Sequence, residues 1–418
     1  MKKFEIIRKR SARSRIIIYA LNFSPELTGA GKYTGEMARW LAGCVDSVVV
    51  VTAPPYYPAW KVSEGWSCSK FSCVLEDGVR VLRAPLYVPS RVTALRRILH
   101  LLSFAISSFF PMVIQIFRRP DFVVLVAPTL LCAPVAWLVA RLSGACLVLH
   151  IQDFEVDAML GLSETRDRRF LPYIIRNFER FLLRRFDKIF TISSGMLARA
   201  ESKGVDANML KLFPNWSEVH RFRCRERSST LLSGLGVEST KKVVLYAGNI
   251  GQKQGLEILI HAAKVLEVRS EIFFLIIGDG LAKRDLVNLA HSVGTSNVAF
   301  GPLQSDEDFP VLLASVDVHL VIERRGVADA VLPSKLTNIL ASGGNAVITA
   351  DSDTTLGRLC YDFPGIATRV TPGSTSELVR GIEFALELAK PNQVAMAYAD
   401  EYLDKDRILS RFFREALS

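Results

Sequence analysis

The pattern that most limits what this chain can fold into is an alternation of apolar, β-branched runs with helical stretches. The first run, residues 16–23 (IIIYALNF), is apolar throughout and branched at its start, as a strand buried on both faces must be. Similar runs recur at Ser47–Ala53, Val79–Ala84, Phe122–Ala127, Cys146–Gln152 and Lys188–Ser193. A second series is found at Val243–Ala247, Ile272–Gly278, Asn297–Gly301, Val316–Ile322, Ala346–Ala350 and Gly365–Val370. Strands joined through helices run parallel, so the expected class is α/β, with two successive doubly wound, Rossmann-like domains and a cleft between them. A chain of 418 residues is long enough for both cores.

Between the series the character changes. MLKLFPNWSEVHRF ends a strand in Pro-Asn-Trp, and the polar stretch Arg221–Thr240 comes next. The expected division is a basic extension at 1–15, a first domain at 16–218, a second at 219–390, and a terminal segment, 391–418. The last helical run, Gln393–Leu417, is long enough to return to the first domain.

Charge divides unevenly. Residues 1–218 hold 30 Lys and Arg against 18 Asp and Glu, whereas the remaining 200 hold 22 against 24. A basic half faces something anionic. No nucleic-acid-binding signature accompanies the charge, so a membrane surface is the better partner and nucleic acid is not expected. The most apolar stretch, Leu101–Phe117, has Arg91, Arg96 and Arg97 before it and Arg118 and Arg119 after it. Seventeen residues are short for a span, and Pro111 should kink the helix. A helix over 98–117 can lie in an anionic interface or be buried in the domain core; a true span is the third reading. Seven scattered cysteines with no C-x-x-C suit a reducing cytosol, and the basic first fifteen residues lack the apolar core of a secretory signal.

Open parallel sheets bind ligands beyond the C-terminal strand ends. In the second domain those ends read GNIGQKQG (248–255) with Lys253, GDG with Gly278 and Gly280, ERRGVAD (323–329) with Arg324 and Arg325, and VLPSKLTNILASGG (331–344). In the last, Pro333 fits the first helical position and Gly343–Gly344 a C-terminal stop. The helix start, with Ser334 and Lys335 in its first turn, attracts an anion. Glycine-rich turns, two lysines and two arginines at successive strand ends make a cradle for a diphosphate. In the first domain, His150 and Asp153 end a strand. His150 is a candidate proton shuttle or hydrogen-bond donor, and Asp153 a base or orienter. Glu155 and Asp157 come next in HIQDFEVD and serve either function or capping. Gly29-Ala-Gly31, before a helix from about Lys32, lacks the full dinucleotide spacing but allows close approach to the backbone. Two D-x-D triplets, Asp351-Ser-Asp353 and Asp404-Lys-Asp406, lack further ligands, so no metal is expected.

Together the stretches PELTGAGKYTGEM, TAPPYYP, HIQDFEVDAML, FPNWSE, YAGNIG, IIGDG and VLPSKLTNILASGG resemble the retaining GT-B glycosyltransferases of family 4, and most narrowly the colanic-acid-type exopolysaccharide fucosyltransferases. The likeness covers about residues 16–418. It implies a sugar-nucleotide donor on the second domain and an acceptor on the first. Gly29 and Gly31 would form the acceptor-side glycine loop near the donor phosphates, and His150 and Asp153 would face the reacting sugar. Asn249, Lys253 and Gln254 fall where the family grips the diphosphate with Arg and Lys. Asp329–Asn338 overlies its E-x7-E region, with Ala330 and Asn338 at the glutamates. Charge on the diphosphate would then come from Lys253, Lys335 and Arg324. The expected reaction moves fucose from GDP-fucose to a polyprenyl-diphosphate-linked acceptor on the inner face of the bacterial inner membrane. It needs no cofactor or metal. Another donor, such as a UDP-sugar or GDP-mannose, and an epimerase of similar fold are the alternatives.

Overall fold

The computed structural model describes residues 14–26, 29–91, 93–154, 170–223, 225–325 and 332–417. The chain divides into two compact units, one comprising Met1–Phe213 with Leu409–Ser418 and the other Pro214–Ile408.

The first unit is built on β1 (Arg15–Ala20), β2 (Ser47–Thr52), β3 (Ser72–Glu76), β4 (Val79–Arg83), β5 (Phe122–Ala127), β6 (Cys146–Ile151), β7 (Lys188–Thr191) and β8 (Leu210–Leu212). They form one sheet in the order β3-β4-β2-β1-β5-β6-β7-β8. Every neighbouring pair is parallel except β3 and β4. The edge strand β3 has no counterpart in the expected series because SCVLE is exposed and lacks a buried run. Its signal is the Asp77-Gly78 turn, both residues with positive φ, which is the hairpin connection such a dipeptide favours.

The main helices of this unit are α1 (Gly29–Ala42), α2 (Ala94–Ser107), α3 (Phe109–Val113), α4 (Ala133–Ser143), α5 (Phe170–Leu183) and α6 (Ser194–Ser202). The expected single helix over 98–117 is instead α2, α3 and a 3-10 turn, Ile114–Arg118, with a 42° bend between the two parts. The break falls at Ser108, not at Pro111. The Ser108 hydroxyl is taken up by Tyr19 of β1 and by the Phe104 carbonyl, which anchors the chain to the sheet at that point. Pro111 sits in the first turn of α3, where its missing N–H costs no intrahelical bond. Among the described residues no single helix is long and apolar enough to cross a membrane.

The second unit has β9 (Lys242–Ala247), β10 (Ile272–Ile277), β11 (Val298–Gly301), β12 (Val318–Val321), β13 (Asn345–Thr349) and β14 (Thr368–Val370), in the order β11-β10-β9-β12-β13-β14. All neighbours are parallel. Strand order reverses at β9, so the crevice for a ligand lies between the ends of β9 and β12. Into that edge lead α7 (Glu257–Leu266), α8 (Lys283–Val293) and α9 (Ser334–Ser342).

The boundaries differ from the expected 218 and 390. Ser217 donates its N–H to the Leu403 carbonyl and its own carbonyl accepts from the Lys405 N–H, so the chain after Phe213 is already tied into the second unit. Residues from 391 on also belong there first. α10 (Gln393–Tyr398) and a π-helical turn, Ala399–Leu403, pack on α9. Only within α11 (Lys405–Leu417) does the chain rejoin the first unit. There Phe412 stacks on Phe213 at 4.1 Å, Phe413 meets Trp40, and Lys188 donates to the carbonyls of Glu415 and Ala416.

Candidate functional site

In the second unit, α9 begins one residue later than its sequence suggests. Pro333 is the cap, with φ −58° and ψ 133°, and Ser334 is the first helical residue. The pyrrolidine ring fixes φ but leaves ψ free, so proline serves either position. No side chain caps this end, and the N–H groups of Ser334 and Lys335 have no partner among the described residues. At the other end Gly343 adopts φ 70° and closes the helix as its sequence implies.

Lys335 folds back over the edge of the sheet. Its ammonium lies 4.3 Å from the centre of the Tyr246 ring and 3.0 Å from the Tyr246 hydroxyl. Burial lowers its pKa to about 8, and the nearby Glu323 carboxylate works against that fall. A Cβ on Gly248 would come within 3.0 Å of the ammonium, so the glycine leaves this charge its place beside the backbone. Tyr246 in turn donates to the carbonyl of Asn249, which fixes the GNIG turn. Tyr246 opens the YAGNIG motif, but its role as the platform for Lys335 is a three-dimensional fact.

The neighbouring turns interlock through backbone. Gly248 donates to Ile277, Ile250 to Asp279, and Ala282 to Ile250. A Cβ at Gly278 would strike the Gly248 carbonyl, and one at Gly280 the Ile250 carbonyl. Both glycines of GDG are therefore required by the packing of two loops, and they leave a flat peptide surface at the strand end. Lys283, in the first turn of α8, donates to the Gly278 carbonyl and adds a cation that no sequence motif marks.

The remaining cradle residues are distributed unequally. Lys253 is exposed, and its carbonyl receives the Arg324 N–H at 3.1 Å. Asn249 is exposed, and Gln254 accepts from the Gly251 N–H. The Arg324 guanidinium is paired with Glu257 at 2.7 Å, and Arg325 grips Asp351 through two bonds of 2.9 Å. Asp351 is thus engaged by an arginine, and Asp404 caps the Arg407 N–H. Asn338 accepts from the Ser217 hydroxyl at 2.9 Å, which joins the FPNWSE loop to α9. Asp329 and Ala330 lie outside the described residues.

In the first unit, Gly29 and Gly31 sit in the first turn of α1, so the helix starts ahead of Lys32 and no open loop carries them. A Cβ on Gly31 would meet the Glu26 side chain at 2.5 Å. Glu26 is buried and accepts from the N–H groups of Tyr56 and Tyr57, at 3.1 and 3.0 Å, and from Asn22 at 2.9 Å. Burial raises its pKa despite those bonds. Arg83, also buried, donates to the carbonyls of Ala53 and Ser24 and lies 4.2 Å from the Trp66 ring. These two charged residues, Glu26 within the PELTGAGKYTGEM stretch and Arg83 in no motif, join the ends of β1, β2 and β4.

His150 is fully buried at the end of β6. Its ring packs 4.6 Å from Phe213, and Nε2 lies 3.4 Å from the Gln152 amide, while Nδ1 has no partner among the described residues. Burial drives its pKa down to about 3, so the imidazole is neutral near pH 7. A neutral ring can donate one hydrogen bond and accept another, but it does not carry a standing positive charge. Asp153 is exposed just beyond it, and residues 155–169, with Glu155 and Asp157, lie outside the description.

The family comparisons agree with this architecture. Residues 28–216 match the family described as Glycosyl transferase 4-like domain, and residues 230–401 match Glycosyl transferases group 1. The chain is 50% identical over 406 residues to WcaI of Escherichia coli strain K12, a protein named for glycosyl transfer in colanic acid biosynthesis. That alignment covers 96% of this chain and 99% of the relative. Among solved structures, sucrose-phosphate synthase of Thermosynechococcus elongatus superposes with a TM-score of 0.71 at 14% identity, covering 97% of this chain and 99% of that one. HepE of Anabaena, in complex with UDP, superposes with a TM-score of 0.65 at 16% identity, covering 96% and 99%. The chain is accordingly a glycosyltransferase of GT-B fold and belongs to family 4, in the group of colanic acid biosynthesis enzymes.

Proposed function

We propose that this enzyme moves a hexosyl group, fucose from GDP-fucose, with retention of configuration, onto a polyprenyl-diphosphate-linked acceptor at an anionic inner-leaflet surface. The observation that carries the donor side is Lys335. It is a partly buried ammonium beside two N–H groups that have no partner among the described residues, at a helix start where strand order reverses. A diphosphate there would gain a charge-assisted bond and the helix dipole together. Ser334 and Asn249 would add polar contacts and Lys253 a second cation. Gly278 and Gly280 would let the nucleotide lie against the backbone, with Asn338 toward the ribose and sugar; Asp329, the other residue expected to bind them, lies outside the described residues. Arg324 would act on the donor only after releasing Glu257.

In the retaining route the bond from the anomeric carbon to the diphosphate oxygen breaks on the same face on which the acceptor oxygen attacks. The acceptor proton passes to the departing diphosphate oxygen. The protein's task is electrostatic: to stabilise the charge growing on that oxygen. His150, neutral and with Nδ1 unpaired among the described residues, is suited to a hydrogen bond with a sugar hydroxyl, and Asp153 to orienting the acceptor. Protein charges take the neutralising role that a divalent metal has in other transferases, so activity should persist in a chelator. Fucose and GDP rest on the likeness to the colanic-acid group, and the complex of HepE with UDP supports a UDP-sugar as the rival donor.

The membrane side rests on α2, α3 and the 3-10 turn. Ile106, Phe110 and Phe117 are 72%, 71% and 86% exposed, and Arg91, Arg96, Arg118 and Arg119 flank them in the chain. Apolar side chains left to water and rimmed by arginine suit an interface with anionic lipid.

The deciding measurement is thermal melting with GDP, UDP and other nucleoside diphosphates, then turnover of the stabilising sugar nucleotide with lipid-linked acceptor. GDP should raise Tm most, and product should appear only with acceptor. Conversion of the sugar nucleotide without acceptor would instead make the protein an epimerase. Charging the apolar face with Ile106→Asp and Phe110→Asp should abolish flotation with anionic vesicles.

A further inference from the structure

A second basic feature of the first unit lies away from the strand ends, on α5. Tyr173, Asn177, Arg180 and Phe181 recur at helical spacing on one face of that helix, and Arg184 and Arg185 stand in the turn that follows it. Asn177, Arg180, Phe181, Arg184 and Arg185 line a groove of about 440 Å³. The Arg185 guanidinium lies 4.5 Å from the Phe181 ring and 5.6 Å from that of Trp137 on α4, where Arg141 also approaches at 6.0 Å. An aromatic face can hold a planar guanidinium without using its N–H fork. The nearby acids are occupied elsewhere. Glu179 is buried and paired with Lys203 at 2.6 Å, and Asp187 accepts the Leu147 N–H at 2.7 Å. Among the described residues no carboxylate meets Arg180, Arg184 or Arg185; the one acceptor is the Gly204 carbonyl, 3.4 Å from Arg184 Nε.

The groove belongs to the same layer of helices as the apolar face. α3 and the 3-10 turn pack on α4, and Trp137 of α4 meets Arg185 in the turn that follows α5. Leu142 on α4, and Tyr173, Phe178 and Phe181 on α5, are all exposed across this stretch. Aromatic rings and arginines with an apolar base favour the level of lipid headgroups.

We propose that the Arg180–Arg184–Arg185 groove binds the headgroup phosphate of an anionic lipid and forms a second anchor beside α2 and α3. The inference rests on the proposed membrane contact of those two helices. A phosphate would receive paired N–H donors from guanidiniums, of which that of Arg185 is already held against Phe181 and Trp137, a geometry lysine cannot reproduce.

The test is co-flotation of the full-length protein with vesicles of phosphatidylcholine alone and of phosphatidylcholine containing phosphatidylglycerol. The wild-type protein should float with the anionic vesicles. The triple variant Arg180→Gln, Arg184→Gln, Arg185→Gln should lose roughly a hundredfold in partitioning, since each cation near such a surface accounts for about a fivefold effect. The triple change to lysine should recover only part of the loss. Wild-type binding by the lysine triple would overturn a shaped phosphate site, because charge alone would then suffice. Saturable micromolar binding of inorganic phosphate without vesicles, lost in the glutamine triple, would overturn the lipid as occupant. If Ile106→Asp and Phe110→Asp abolish flotation while the glutamine triple binds normally, the groove fails and the membrane reading stands. If the wild-type protein ignores anionic vesicles, both fail. Unchanged melting temperatures would exclude misfolding.

Discussion

The two units share a doubly wound plan yet use charge in opposite ways. In the first, cations are numerous and lie on the outer helices, while two buried charged groups at the strand ends are tied to the backbone around them, Glu26 to Tyr56 and Tyr57 and the terminal nitrogens of Arg83 to Ala53 and Ser24. In the second, near-neutral overall, one partly buried lysine stands at the strand end, and two glycine turns interlock around it. Net charge and ligand charge are thus separate quantities. Dispersed surface arginines act on an extended anionic partner and are screened by salt. A single ammonium desolvated at a helix start acts on one anion at short range.

The sharpest way to break that contrast is Lys335→Ala. Removing a preorganised charge from a developing oxyanion costs roughly 10²- to 10³-fold in kcat, and this should be the largest single effect among charge deletions. Steady-state turnover with the true donor measures it, and a melting curve should show little change because alanine suits the first turn of a helix. Lys253→Ala, on an exposed side chain, should lose far less. Equal losses from both would mean that burial does not set a lysine's worth here.

On the first unit the corresponding change is His150→Ala, with an expected loss of roughly ten- to a hundredfold in kcat and no change in nucleotide affinity. Because burial holds the ring neutral down to about pH 3, the pH profile of kcat/KM should show no step near the ordinary histidine value of about 6.5. A step there that vanished in His150→Ala would mean that the ring titrates with solvent access and works as a proton shuttle.

How far the sequence reaches differs between the two units for a physical reason. Parallel strands buried on both faces announce themselves as β-branched runs, and all the central strands lie where those runs are. The edge strand β3 is exposed and is legible only through Asp77-Gly78. The place of Lys335 in the first turn of α9 is legible because a helix start is signalled by residues adjacent in sequence. The Tyr246 platform beneath it comes from β9, far away along the chain, and periodicity carries no such information. Glu26 and Arg83 are invisible for the same reason: a buried charge reads as a surface charge until its partners are known. Arg324 errs the other way. Its strand-end position suggests a free cation, but Glu257 on α7 occupies it.

A smaller effect concerns pH. Below about 8 Lys335 is protonated in the unliganded protein, and above that it loses its proton. Binding a diphosphate favours the charged form, so affinity should be flat up to about pH 8 and then fall by up to tenfold per unit as binding takes up a proton. Titrating GDP or UDP from about pH 7 to about 9.5 measures this, and the slope should disappear in Lys335→Ala. On the first unit the arginines keep their charge over that range, so vesicle binding should not follow the same curve.

The smallest expected effects compare the two ties that hold loops at each strand edge. Glu26→Ala leaves the buried N–H of Tyr56 and the part-buried N–H of Tyr57 without their acceptor, at a cost of about 2 kcal/mol. Glu26→Gln retains an acceptor and removes a carboxylate that burial already disfavours, so it should cost under about 1 kcal/mol. The sign comes from the raised pKa: protonation favours the native state, and this group's contribution is fully present below its unfolded value and declines as pH rises through the folded one. Asn338→Ala removes one partly buried bond to Ser217 and should cost about 1 kcal/mol at most. Denaturant unfolding of the three variants gives the order directly. If Glu26→Gln proves as damaging as Glu26→Ala, the negative charge itself is needed, and the strand ends of the first unit would then depend on a buried ion, as those of the second are proposed to depend on Lys335.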